Sequence, residues 1–135
     1  MSRLPVVAGD VDQWGPILND FLLVAHNADG TLKEIVKNPQ SSSYTLVASD
    51  KGKAIDTTSG SANTVTIPSN ASAPMAIGTL IEIAQYGAGQ TTIAAAAGVT
   101  IRSAGGKMKL ASQYSVCSLR KINTDEWWLA GDLIV

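Results

Sequence analysis

The sequence predicts a mainly β fold: a small antiparallel β-sandwich, jelly roll or barrel preceded by a short N-terminal amphipathic helix. Three observations carry that expectation. From Ser41 onward the chain is rich in Ser, Thr, Ala and Gly and places short apolar pairs at alternate positions. Clusters of turn-forming residues separate those pairs at nearly regular spacing, the pattern of an all-β body. Before that point the apolar residues recur instead at the three and four residue steps of a helix face.

The helix comes first. Trp14, Ile17, Leu18, Phe21, Leu22 and Ala25 share one face, and Leu23 and Val24 widen it, so a helix is expected near residues 14–26. Asp12 or Gly15 can serve at its start, and Pro16 fits the first turn, where a missing N–H costs little. Asn27 to Gly30 stops it. A helix this short and apolar is marginal alone and has to bury its face against its own β domain or a neighbouring subunit. Leu32, Ile35 and Val36 suggest a second short helix before Asn38-Pro39, where proline biases its predecessor away from helical geometry. The polar run Gln40-Ser41-Ser42-Ser43 reads as a linker. It divides a helical attachment or oligomerisation segment, 1–40, from a β-rich projecting domain, 41–135.

Within the second part the period-two pairs are Leu46 with Ala48, Val65 with Ile67, Ile81 with Ile83, Val99 with Ile101, Met108 with Leu110, and Cys117 with Leu119. Each pair points one row inward, while Thr64, Thr66, Glu82, Thr100, Lys109 and Ser118 point the other way. The closing Glu126-Trp127-Trp128-Leu129 puts two tryptophans side by side. Neighbours in a strand face opposite sides, so one fills the interior and the other sits on an outer surface.

At 135 residues the chain is one ordinary domain in size. Its net charge of −1, without a long run of either sign, argues against a nucleic-acid partner. The single Cys117 excludes an internal disulfide framework and the usual Cys and His zinc sets. No stretch approaches the roughly 18 consecutive apolar residues of a membrane span, and the start lacks a secretory signal, so synthesis in a cytoplasm and no membrane insertion are expected.

A catalytic constellation is hard to assemble, and the expectation is that the protein is not an enzyme and takes no cofactor. His26, the lone histidine, falls at the predicted helix end, where the helix dipole explains it. Cys117 falls on an inward row and reads as a small buried hydrophobe. Asp10, Asp12, Asp20, Asn27 and Asp29 offer oxygens but lack the spacing of a calcium loop, and capping and turn formation explain them. Gly87-Ala88-Gly89-Gln90 lies between two strands without the helix and lysine of a phosphate loop, so a turn accounts for it. Ala94 to Ala97 would permit close backbone approach, in an ordinary tight loop or at a threefold axis. The outward member of Trp127 and Trp128, with Tyr86 or Tyr114, would suit stacking on a sugar or packing at a subunit contact. Asp125 and Glu126 are the carboxylates a surface-glycan hydrolase would need, though their turn-like setting reads as solvated polar residues.

Leu4-Pro5, Gly9-Asp10-Val11-Asp12, Trp14-Gly15, Ile17 to Leu22 and His26-Asn27-Ala28-Asp29-Gly30-Thr31 resemble a segment of tailed-bacteriophage virion proteins, especially fibre-like and minor tail components. Gly78 to Ile83, Gly87 to Gln90, Gly98 to Ile101 and Trp128 to Leu133 are similar to a small β domain of such proteins. The resemblance implies a non-enzymatic virion structural protein on the virion surface, a homotrimer whose N-terminal segment binds other virion proteins or the trimer itself. Trp14, Ile17, Leu18, Phe21 and Leu22 would form that assembly interface. The chain departs from a long fibre in having no repetitive shaft, which leaves open a capsid decoration or cementing role. The rival expectation is a carbohydrate-binding module for host-surface glycans, using Trp127 or Trp128.

Overall fold

A computed structural model describes residues 14–135, except the side chains of Trp14 and Phe21. It divides into two compact units, one ending at Glu34 and one spanning Ile35–Val135. In the first, helix α1 runs from Trp14 to Leu22. It ends sooner than the apolar periodicity predicts. The Leu23 N–H still reaches Asn19 O and the His26 N–H reaches Leu22 O, but the chain then turns at Asn27–Gly30, as the sequence signals. The Asp29 carboxylate accepts from both the amide and the hydroxyl of Thr31, a short-range turn that holds its pKa below the usual value, and Gly30 supplies a φ of +85°. Leu32 pairs with His26 across this turn. In place of the second helix expected around Leu32–Val36, the chain has no regular secondary structure from Lys33 to Val36 and then enters a strand containing Asn38-Pro39.

The second unit is mainly β and sandwich-like. Its strands are β1 (Lys37–Gln40), β2 (Tyr44–Thr45), β3 (Ala54–Thr57), β4 (Asn63–Ile67), β5 (Leu80–Gln85) and β6 (Thr91–Ala95). There follow β7 (Thr100–Ser103), β8 (Lys109–Leu110), β9 (Val116–Asn123), β10 (Glu126–Gly131) and β11 (Leu133–Ile134). One sheet has the order β1-β3-β5-β9-β10-β7 and the other β11-β8-β6-β4-β2. Both are mixed rather than wholly antiparallel. Strands β1, β3 and β5 run parallel in one sheet, and β2, β4 and β6 run parallel in the other. The chain thus alternates between sheets, each parallel crossover being made through the opposite sheet. Three such passes stack as coils. The later strands then close the sheets, with β9 antiparallel to β5 and to β10, and β8 antiparallel to β6 and β11.

The period-two pattern sets the core. Val65, Ile67, Ile81, Ile83, Leu110, Cys117 and Leu119 are buried, joined by Leu46, Ile55, Ile93, Trp127 and Leu129. Thr64, Thr66 and Glu82 are half-buried on the other side, and Thr100 and Ser118 are exposed. Asp50, fully buried beside β2, accepts from Asn38 Nδ2, Tyr44 OH and the Val47 N–H, each at 2.9 Å, with Lys53 Nζ 3.9 Å away. Burial and that hydrogen bond raise the Tyr44 pKa above its ordinary value, so the hydroxyl stays a donor.

Coils two and three are in register over their whole length. Ala54 lies opposite Glu82 and Val65 opposite Ile93, the same 28-residue step in both sheets. The corner between β3 and β4 therefore lies directly against the corner between β5 and β6. Contact there is backbone on backbone: the Gly89 N–H donates to Ser59 O at 3.0 Å, and a Cβ at Gly87 or Gly89 would overlap the main chain of Thr58–Ser61. A polar cluster lies behind the corner. Thr57 Oγ1 and Thr91 Oγ1 are 2.6 Å apart, Thr91 Oγ1 also donates to Asn63 Oδ1, and the Thr91 amide donates to Gln85 Oε1. All four residues are buried, two from each sheet.

Gly89→Ala should lower stability by about 2 kcal/mol or more, since backbone cannot yield as a side-chain tip can. Gly60→Ala, where an added Cβ meets nothing within 4 Å, should stay within about 0.5 kcal/mol of the parent. Urea midpoints of both variants check this, and equal midpoints would refute the stacked corner.

Candidate functional sites

Two regions collect the residues that the sequence singles out. The first is the N-terminal unit. On α1, Ile17 is half-buried and Leu18 and Leu22 are exposed, while the side chains of Trp14 and Phe21 lie outside the described residues. Leu23, Val24 and Leu32 extend the exposed apolar set beyond the helix, Leu32 to 72%. Leu22, Leu23 and His26 also line an open hollow of about 450 Å³ with Asn27 and Ala28. His26 Nδ1 lies 3.2 Å from Leu22 O, close to the helix end where the sequence places it.

The second region is the outer face of the six-stranded sheet. Trp127 and Trp128 separate as strand alternation requires: Trp127 is 2% exposed and Trp128 50%. Register aligns Leu80, Arg120, Trp128 and Arg102 in one row across β5, β9, β10 and β7. The Arg120 guanidinium lies over the Trp128 ring, 4.7 Å from its centroid. Arg102 Nε donates to Glu126 Oε1 at 2.6 Å on the same face. Beside Trp128, where β7 is the sheet edge, a shallow groove of about 460 Å³ is lined by Arg102, Ala104, Gly106, Met108, Leu129 and Ala130, among others. Ser103 Oγ lies in its wall, buried and without a hydrogen-bond partner.

On the inner side of the same strands Lys121 is 2% exposed, a position the alternation Cys117, Leu119, Lys121 makes inward. Its Nζ donates to Asn70 Oδ1 and, at 2.8 Å, to Met75 O, and lies 5.6 Å from the Trp127 ring centroid. Asp125 accepts from the Asn70 N–H at 2.6 Å. The β4–β5 loop is thereby tied down by Lys121 and Asp125. Asp125 and Glu126, the carboxylates that a hydrolase would need, are each engaged in a contact of this kind.

The remaining candidates have structural settings. Burial, with Glu82 adding to it, pushes the Cys117 thiol up to about 12, so it is protonated and sealed in the core. Among the described residues no group of three or more His, Cys, Asp or Glu side chains is placed to hold a metal ion. No helix among them is long and apolar enough to cross a membrane. Gly87 and Gly89 serve the stacked corner. Ala94 and Ala95 end β6, and the Ala96 N–H donates to Ile67 O. Tyr86 and Tyr114 form an exposed edge-on pair with centroids 6.0 Å apart, and Tyr114 has an unusual φ of +71°. They do not join Trp128: Tyr86 lies six residues along from Leu80, about 20 Å at strand rise. Arg120 and Arg102 are the residues that sequence reasoning missed. Alternation marks Arg120 as outward beside Ser118, but only pairing register puts it on Trp128.

No protein-family model matches the chain, and a search of curated proteins finds no match either.

Two measurements check these settings. Lys121→Met should cost about 1–3 kcal/mol, because it leaves Met75 O and Asn70 Oδ1 without their donor, and a denaturation midpoint equal to the parent's would remove the buried tie. The second concerns pH. With the thiol raised from 9.0 to about 12, its contribution to stability is fully present below pH 9 and is lost as pH rises from there toward 12. Cys117→Ala should show a shallower alkaline loss than the parent in unfolding curves between pH 8 and 11.

Proposed function

We propose that the chain is a non-enzymatic structural protein of a tailed-bacteriophage virion, a short fibre-like or minor tail component. It assembles as a homotrimer through its N-terminal unit and displays the β unit on the particle. The observation that carries this reading is the run of apolar side chains left exposed on the single chain at Leu18, Leu22, Leu23, Val24 and Leu32. Isolated exposed leucines are ordinary, but such a succession on one small unit marks a surface that association would cover. At about 25 cal/mol per Å² of apolar area removed from water, covering it contributes several kcal/mol per chain before association costs. The sequence resemblance supports the virion setting and the threefold state. The same surface would serve a capsid decoration or cementing protein, whose attachment uses the same burial.

A carbohydrate-binding role is the second reading, favoured by Trp128. Its indole remains half exposed on the outer sheet face although its neighbour Trp127 is buried in the core.

Light scattering coupled to size exclusion should give the mass of a trimer for the full chain. Leu22→Asp combined with Leu18→Asp should reduce it to that of one chain while the thermal transition of the β unit stays in place. A parent protein that is monomeric at micromolar concentration would overturn the assembly reading.

A further inference from the structure

The cations of the β unit are segregated in a way that the overall charge conceals. From Ile83 through Thr124 there is no acidic residue, yet Arg102, Lys107, Lys109, Arg120 and Lys121 all fall there. Lys121 is spent on the buried tie, Lys109 Nζ donates to the Val135 carbonyl, and Arg102 is paired with Glu126. Among the described residues no carboxylate lies within ion-pair distance of Arg120 or Lys107. Those two flank the groove beside Trp128: Arg120 on the ring, and Lys107 in the turn between the lining residues Gly106 and Met108.

Arg120 is held in an informative way. A guanidinium presents its N–H groups as a rigid planar fork that matches a carboxylate, and its place 4.7 Å from the Trp128 centroid restricts where that fork can lie. The indole edge, Ala130 and the half-buried Met108 supply an apolar surface beside it. The groove, about 460 Å³, is in the range of a small-ligand cleft.

We propose that this groove and the Arg120–Trp128–Arg102 row bind an acidic saccharide of the uronic or sialic type. The sugar carboxylate takes the Arg120 fork, the C–H face of the ring lies along Trp128 and Ala130, and Lys107 attracts the next acidic unit. Nucleic acid fits less well. Its affinity grows with the number of phosphates neutralised, and two unengaged cations beside a single exposed tryptophan give it neither a track nor a succession of stacking platforms. This ligand adds to the display role and does not depend on the assembly state.

Calorimetric titration of the full chain with hexagalacturonate, with a sialic-acid hexamer, with neutral maltohexaose and with a dodecathymidylate tests the proposal, the native mass being recorded on the same samples. At least one acidic hexamer should bind about 10-fold or more tightly than maltohexaose. Arg120→Lys keeps the charge but loses the planar fork, and should weaken that binding about 10-fold. Trp128→Ala should weaken it at least as much, Lys107→Ala about 3-fold, and Lys53→Ala not at all. Lys107 lies in an exposed turn, so its variant remains informative if one of the strand variants fails to fold. No binding of either acidic hexamer, equal affinity for the neutral one, indifference to Arg120→Lys and Lys107→Ala, or tighter binding of the dodecathymidylate would each overturn the proposal.

Discussion

The stacking of one coil corner on the next is the contact on which the β unit depends. Two sheets that exchange a strand at every pass stay in register only if the connections on one side have matching length and can lie against each other. Between coils two and three they do, with the same 28-residue step in both sheets. Gly87 and Gly89 bring the two main chains together, and the buried Thr57, Asn63, Gln85 and Thr91 satisfy one another across the sheets. A buried polar group without a partner costs as much as a sizeable cavity, so a slip of one residue would lose these bonds and turn each inward row outward.

That register reaches the far end of the molecule. The position of β5 fixes β9, β9 fixes β10, and β10 fixes β7. Each step is a ladder of main-chain bonds, and the result on the outer face is the row Leu80, Arg120, Trp128, Arg102. Gly131 takes part in the same constraint: a Cβ there would overlap Cys117, its partner on β9. The inner face is closed differently. Lys121 is a buried ammonium held by a carbonyl and an amide oxygen, and it anchors the β4–β5 loop under Trp127. One pair of adjacent tryptophans thus serves two tasks, core on one side and surface on the other.

The two units differ in how they use apolar residues. The β unit buries a connected set of aliphatic side chains between its sheets, Leu46, Ile55, Val65, Ile67, Ile81 and Leu119 among them, and leaves others such as Val47, Ile77 and Leu80 exposed. The N-terminal unit has one short helix, a turn closed by Asp29 and Thr31, and a succession of leucines on its surface. Nine helical residues cannot bury a face against themselves, so their stability has to come from contact with something else. This is the physical content of the proposed assembly role, and it is separate from whatever Trp128 and Arg120 bind.

The strand positions of the later half, the inward rows, the opposite facing of Trp127 and Trp128, and the turn at Asn27–Gly30 are all legible in the sequence, because each follows from side-chain periodicity or from the conformational preference of one or two residues. The helix was legible in place but not in length, since apolar spacing continues past Leu22 where the backbone bonds do not. What the sequence does not reveal is the pairing. Strands β1 and β3 lack an alternating apolar signal, Lys37–Gln40 reads as the end of a helical segment running into a linker, and parallel stacking through alternate sheets has no local signature at all. Arg120 meets Trp128, and the cations collect around the groove, through contacts between segments distant in the chain. Periodicity decides which way a side chain points. Only register, set by the stacked corners and the ladder bonds, decides which side chain it meets.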